Sequence, residues 1–308
     1  MLRNLFIWLR MIKFSHSVFA LPFAIMMLFL AGRDGRPGFP GWGKLGLIVW
    51  CMVWARAAAM TFNRIADILF DARNPRTAAR ALPTGQITRL QAYVFLYLCA
   101  LLFVAGTYLF WRPIALSSEG PRWFGYGNVW PLIMALPVLL FICLYSYTKR
   151  FTWASHFWLG ASLMCAPMGA WVAVSPPAGP VIAAPPLILG AAVLFWTAGF
   201  DIIYACQDIE IDRRDGLYSI PAQLGLSTAL WISRTCHSLA VTFLLILALL
   251  TNLGLIYLIA VVTTALLLIV EHLLVRQGRM SRIKIAFGTL NGLVSLLLAA
   301  AAICDIML

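Results

Sequence analysis

Nine apolar runs, near residues 15–31, 45–66, 90–111, 129–147, 155–174, 185–206, 229–250, 253–274 and 285–304, dominate the sequence. A helix needs roughly 20 apolar residues to cross the hydrocarbon of a bilayer. Lipid offers no partner to a backbone N–H or C=O, so only helices and closed barrels can span it. These runs are continuous rather than alternating, which excludes a barrel. The expected fold is therefore an all-α membrane protein, with nine transmembrane helices in one bundle and a single polytopic domain over residues 1–308. A chain that is 62% hydrophobic and 11% charged, with mean hydropathy +0.90, falls outside the range of soluble domains.

A net charge of +12 would suit nucleic acid on a soluble face, but here it sits in short loops between spans. With nine spans, fifteen cations fall on one side, in groups at Arg3–Lys13, Arg73–Arg89, Lys149–Arg150, Arg213–Arg214 and Arg276–Lys284. Only five (Arg33, Arg36, Lys44, Arg112 and Arg122) fall on the other. By the positive-inside rule the N-terminus is cytoplasmic and the C-terminus outside, as in a multi-pass protein of the inner (cytoplasmic) cell membrane. Residues 1–14 form a basic amphipathic stretch with no small-residue cleavage site, which reads as an interfacial segment and not a signal peptide. His16 reads as interfacial. The seven cysteines stand singly and read as small buried hydrophobes.

Acidic residues are distributed very unevenly. Five of the eleven (Asp201, Asp208, Glu210, Asp212 and Asp215) crowd into D-I-I-Y-A-C-Q-D-I-E-I-D-R-R-D at the end of an uncharged run. On a helix Asp201, Tyr204, Asp208 and Asp212 recur at i, i+3, i+7 and i+11, which puts them on one face. In N-R-I-A-D-I-L-F-D, Asn63, Asp67 and Asp71 follow at i, i+4 and i+8. Two such ladders can face each other across a single site. Acidic ladders end the second and sixth spans and basic clusters end the fourth and eighth, so the chain reads as two four-helix halves plus a ninth helix.

Gathered carboxylates repel one another unless a multivalent cation neutralises them. Magnesium suits oxygen donors, and it shares its positions between one or two carboxylates, water and substrate phosphates. The cations around the same carboxylates imply an anion that bridges metal and base, which a diphosphate would satisfy. An apolar bundle behind a diphosphate suggests a lipid tail. If the tail is allylic, charge at the site stabilises the departing diphosphate and aromatic faces shelter the carbocation.

The pair N-x-x-x-D-x-x-x-D and D-x-x-Y-A-x-x-D-x-x-x-D resembles the UbiA superfamily of intramembrane aromatic prenyltransferases. So do Arg56 seven residues before Asn63, the Arg76–Arg80 loop ending in L-P-T-G, and Tyr145 with Lys149. H-S-V-F-A-L-P-F-A, F-N-R-I-A-D and N-P-R-T are most similar to the 4-hydroxybenzoate polyprenyltransferase group, including its hydroxynaphthoate branch. The resemblance implies two Mg2+ ions bridging the diphosphate, held by Asn63, Asp67, Asp71, Asp208 and Asp212. It implies diphosphate contacts from Arg76, Arg80, Tyr145, Lys149 and Arg213, and Arg56 on the acceptor carboxylate. Asp201 and Tyr204 would line the deeper pocket. The implied partners are a polyprenyl diphosphate, a hydroxylated aromatic acid (most closely 4-hydroxybenzoate, alternatively a hydroxynaphthoate) and the bilayer, with no nucleic acid and no protein partner. Arg64 stands where many members have Asp, and Ala81 where many have Pro.

Each of these residues also has a plainer reading. One helix-end carboxylate often just pairs with a nearby arginine, but four at matched spacing next to lipid point to function. Glu210 and Asp215 lie off the ladder face and read as solvated or salt-bridged. Asn291 suits either a pocket or an interhelical hydrogen bond. A secondary transporter or cation carrier would also hold buried acids, but its site would sit near the bilayer midplane on broken helices.

Overall fold

The computed structural model describes residues 2–13, 19–33, 38–112, 125–176, 183–275 and 285–308. His16, Arg36, Arg122 and the basic group from Arg276 to Lys284 lie outside them. In chain order the helices are α1 (Leu2–Met11), α2 (Leu21–Ala31), α3 (Trp42–Ala66), α4 (Ile68–Arg73), α5 (Arg89–Tyr108), α6 (Trp130–Thr148), α7 (Ser155–Val174), α8 (Ala184–Ala205), α9 (Ile209–Arg214), α10 (Ile220–Thr251), α11 (Leu255–Leu274) and α12 (Asn291–Met307). A 3-10 turn, Cys206–Asp208, joins α8 to α9, and a π-helical turn, Ile285–Leu290, leads into α12. There is no strand among the described residues.

Eight helices among the described residues are long and apolar enough to cross a membrane. The ninth expected span, near 15–31, is represented by the shorter α2. The chain is therefore an all-helical, multi-pass membrane protein.

The helices cluster into two compact units, and the division differs from the expected four-plus-four-plus-one. The first unit is Met1–Ser17 with Trp42–Thr148; the second is Val18–Gly41 with Lys149–Leu308. In the first, α3 packs on α5 and α6, and α1 lies against α3. The apolar face of α1 is what holds it there. Trp8 meets Phe95 at 4.6 Å between ring centres, and Met11 and Ile12 are buried with Ala57, Ala58 and Leu82. In the second unit, α8 packs on α7 and α10, α2 packs on α7 and α12, and α11 on α12 and α10. Its packing places the first span with the later helices rather than with α3.

Helix ends follow local chemistry. Thr88 and Gln91 form a reciprocal capping box on α5, with Thr88 N donating to Gln91 Oε1 at 2.9 Å. The stretch 216–225 reads as a loop in the sequence, yet α10 already begins at Ile220. Ser219 caps it by accepting from Ala222 N, and Pro221 suits its first turn. Gly225, at φ +80°, then kinks the helix. At the far end Asp305 on α12 accepts from Tyr257 N at 2.8 Å and caps α11.

Close approach of α7 and α8 depends on small residues. A Cβ on Gly160 would strike the backbone carbonyl of Leu194, whereas one on Gly169, in the same helix, would meet nothing within 4 Å. Gly160→Val should therefore cost about 1–3 kcal/mol by overpacking. Thermal unfolding in detergent should show a lowered midpoint for Gly160→Val and none for Gly169→Ala.

Candidate functional site

In the first unit the ladder runs across a one-residue break. Asp67, at φ −97° and ψ 9°, separates α3 from α4. The sequence predicts an unbroken helix here, and the reason the ladder survives is visible in the backbone. Asp67 N still bonds Asn63 O at 3.0 Å, and Asp71 N bonds Asp67 O at 2.7 Å. The bonds on the ladder side persist through the bend, so the three residues keep a common face.

Side chains close this ladder with cations. Asn63 Nδ2 donates to Asp67 Oδ2 at 2.9 Å. Arg80 grips both oxygens of Asp71 through Nη1, at 2.6 and 2.8 Å. Arg64 approaches the same carboxylate at 3.8 Å and donates from Nε to Met11 O at 3.4 Å. The departure at Arg64 is thus a buried arginine that ties the ladder to the end of α1. Thr77 Oγ1 donates to Asp71 O at 2.9 Å and Asn74 Oδ1 accepts from Arg76 N at 2.9 Å, folding the 74–80 loop back over α4. Arg56 lies in α3, and its buried Nε has no hydrogen-bond partner among the described residues.

Lys13 is one of the residues that sequence reasoning missed. It counted only as a cytoplasmic charge, yet burial, reinforced by Arg64, Arg80, Arg76 and Arg56, pushes its ammonium from 10.5 down to about 7. Its position two residues after the amphipathic α1 was the available signal. Five cations now share one neighbourhood with Asp67 and Asp71, which asks for an anion. Tyr145, near the end of α6, is half-buried, and its carbonyl accepts from Thr148 Oγ1 at 2.7 Å.

In the second unit, Asp201, Asp208 and Asp212 are all buried, at 8%, 8% and 5% exposure. The 3-10 turn Cys206–Asp208 lies between Asp201 and Asp212. Asp201 pairs with His156, whose Nδ1 lies 2.7 Å from Asp201 Oδ2. Asp212 Oδ2 accepts from the Ser219 hydroxyl at 2.7 Å, and Lys149 is within electrostatic reach of it.

The segment after α9 is laced onto this ladder. Leu217 N bonds Asp212 O at 2.8 Å, and Tyr218 N bonds Lys149 O at 2.6 Å. Arg213, exposed, donates from Nε to Ala222 O at 2.7 Å and so fastens α9 to α10. Glu210 is exposed and Asp215 pairs with Arg214 at 3.0 Å. Tyr204 is half-buried and packs against the Ile203–Val275 contact. One turn back along α8 from Asp201 and Phe200, Trp196 stacks edge-on with Phe200 at 4.9 Å and Phe23 at 5.4 Å, and Phe19 meets Phe200 at 5.6 Å. Asn291 donates to Glu271 at 3.0 Å, an interhelical bond away from both ladders.

The donor set fits magnesium. Among the described residues no three His, Cys, Asp or Glu side chains converge as a protein-only metal cage. Magnesium takes one or two carboxylates and completes its shell with water and phosphate, so the ladders suit it. The buried Asp212 carboxylate accepts from the Ser219 hydroxyl and feels Lys149, and a divalent cation beside it would offset its burial further.

Known proteins share this fold. An apo structure of a UbiA homolog from Aeropyrum pernix K1 superposes with a TM-score of 0.79 at 30% identity, covering 94% of this chain and 98% of that one. A UbiA homolog from Archaeoglobus fulgidus bound to GPP and Mg2+ superposes at 0.66 with 17% identity, covering 98% and 100%, which speaks to the fold alone. Among curated proteins, a mitochondrial 4-hydroxybenzoate polyprenyltransferase of Rattus norvegicus is 29% identical over 66% of this chain and 49% of its own length. A 4-hydroxybenzoate octaprenyltransferase of Acidovorax ebreus is 31% identical over 61% and 58%. The chain spans about half the length of the curated relatives it matches. The profile of the UbiA prenyltransferase family matches residues 20–299, and with both ladders in place the chain belongs to that family.

Proposed function

We propose that this chain transfers a polyprenyl group from polyprenyl diphosphate to a ring carbon of a hydroxylated aromatic acid, 4-hydroxybenzoate, in quinone biosynthesis. It does so at the cytoplasmic face of the inner membrane, with its N-terminus inside and its C-terminus outside. The observation that carries the reading is the cluster of Lys13, Arg56, Arg64, Arg76 and Arg80 around the first ladder. Such a concentration of cations beside carboxylates suits an anion that brings its own divalent metal. The names of the curated relatives support the acceptor, and the Archaeoglobus homolog bound to GPP and Mg2+ supports the donor and metal.

Asn63, Asp67 and Asp71 in the first unit, and Asp208 and Asp212 in the second, would hold the two magnesium ions. Bound magnesium would neutralise the diphosphate and favour its departure. Arg76, Arg80, Lys13 and Lys149 bind the phosphate oxygens, and Arg56 holds the acceptor carboxylate, orienting the ring. The allylic C–O bond breaks with its electron pair going to the diphosphate, the ring carbon ortho to the phenol forms the new C–C bond, and the ring proton passes to a base (the released diphosphate, a carboxylate or water), which restores aromaticity. Aromatic faces such as Trp196 and Phe200 shelter developing positive charge.

Membranes holding the protein, given magnesium and a polyprenyl diphosphate, should yield prenylated 4-hydroxybenzoate by mass spectrometry. Prenylated dihydroxynaphthoate instead would move the acceptor to the two-ring acid, and no product from either acid would overturn the reading. Asp67→Asn and Asp208→Asn should each lower turnover by about 100-fold or more, on the scale of losing an electrostatic contact to the transition state. Chelation of magnesium should do the same to the unmodified enzyme.

Lys13 gives a pH test. Its pKa near 7 means that the folded protein sheds this proton as pH rises through about 7, whereas an unfolded lysine keeps it to about 10.4. The unfolded state binds more protons in that window, so the ligand-free protein gains stability from Lys13 as pH rises across it. A bound diphosphate raises the pKa again. Titrating magnesium pyrophosphate at pH 8 in buffers of different ionisation enthalpy should show proton uptake, and Lys13→Met should abolish it.

A further inference from the structure

The second ladder is braced by a residue to which the reaction assigns no part. His156, the second residue of α7, is fully buried, and both ring nitrogens are engaged. Nε2 accepts from the backbone N–H of Ile220 at 3.3 Å. A nitrogen that accepts carries no proton, so the proton sits on Nδ1, which donates to Asp201 Oδ2 at 2.7 Å. In this arrangement the Nδ1–H faces the Asp201 carboxylate and the Nε2 lone pair faces the Ile220 N–H.

The backbone group that fixes the tautomer belongs to the residue after Ser219. Ser219 donates to Asp212 Oδ2 at 2.7 Å and caps α10. The same short segment is held at Tyr218 by the carbonyl of Lys149 and at Leu217 by the carbonyl of Asp212. One imidazole therefore connects the carboxylate at the deep end of the ladder to the turn that sets the carboxylate at its outer end. Two residues before Asp201, the backbone of α8 is packed closely against α10. Ser233 Oγ donates to Gly199 O at 2.8 Å, and a Cβ on Gly199 would strike the His237 ring.

We propose that His156 is a positioning residue for prenyl transfer: it orients the Asp201 carboxylate through Nδ1–H and couples it, through Ile220 N–H, to the Ser219–Asp212 contact. A histidine buried only for packing would need neither its tautomer nor its link to Asp201. The inference rests on the proposed function for its kinetic readout, and the test separates the two.

Three substitutions divide the roles of the ring. His156→Asn retains a donor near the place of Nδ1 and drops the acceptor for Ile220. His156→Gln reaches the place of Nε2 and drops the donor to Asp201. His156→Phe keeps the bulk and drops both. Each variant, purified in detergent and checked for an unfolding midpoint near that of the unmodified protein, is assayed for kcat and for KM of donor, acceptor and magnesium. The expected result is a loss of about 10–100-fold in kcat for Gln and Phe, on the scale of removing the partner that orients a ligating group. Asn should recover most of that loss, and Phe should cost little more once Asp201→Asn is already present. The thermal shift produced by magnesium pyrophosphate, which needs no acceptor, should rank the variants in the same order. Equal behaviour of Asn, Gln and Phe in both measurements, or a Gln variant as active as the unmodified enzyme, would overturn the role of His156. If the unmodified protein forms no prenylated product, the proposed function fails, and the pyrophosphate ranking alone then decides for or against His156.

Discussion

Carboxylates held inside a helical membrane bundle are costly, and the arrangement of both ladders follows from how that cost is met. Asp71 in the first unit and Asp201, Asp208 and Asp212 in the second are all less than a tenth exposed. A buried ionised group needs an opposite charge or several hydrogen bonds. Around Asp71 the compensation is two guanidinium groups, and around Asp201 and Asp212 it is an imidazole and a hydroxyl. Supplying those partners requires the loops after each ladder to fold back on their own helix. Thr77 and Asn74 do this in the first unit, and the 215–220 segment does it in the second.

The two helix breaks belong to the same solution. In each ladder the middle aspartate begins the short helix after the break: Asp67 before α4 and Asp208 before α9. A six-residue helix after a bend can direct its last acid at a neighbour that a straight helix would carry it past. The first break preserves the ladder face because the i to i−4 bonds of Asp67 and Asp71 persist. The second is a 3-10 turn between Asp201 and Asp212, and Asp201 pairs with His156. The ladders therefore differ in construction although their sequence spacing looks alike.

This difference marks where the sequence was legible. Length and apolarity of the spans identified an all-helical membrane protein, since a bilayer leaves the backbone no other economical state. The ladders were legible because acids are so rare in such a chain that their spacing stands out. Spacing assumes a straight helix, however, and cannot report a 3-10 turn. His156 was invisible for a related reason: its partners Asp201 and Ile220 are 45 and 64 residues away in sequence. Lys13 read as a topological charge because nothing local reveals that four arginines surround it. The placement of α2 with the later helices could not be read from the order of acidic and basic clusters, because it depends on side-chain packing against α7 and α12. The start of α10 at Ile220 was also missed, because 216–225 read as a loop, although S-I-P, a cap followed by a proline suited to the first turn, was the available signal.

Charge balance around each ladder is what ties it to the proposed chemistry. In the first, Lys13, Arg56, Arg64, Arg76 and Arg80 outnumber Asp67 and Asp71, and Arg56 Nε is buried without a hydrogen-bond partner among the described residues. In the second, Asp201 and Asp212 are buried with an imidazole and a hydroxyl as hydrogen-bond partners, and Lys149 acts on Asp212. The cations gathered at the first ladder repel one another, so a bound anion would relieve them, and the buried acids of the second ladder suit a divalent cation. In the proposed reaction, departure of the diphosphate would add negative charge beside such cations, which would make their clustering a source of transition-state stabilisation.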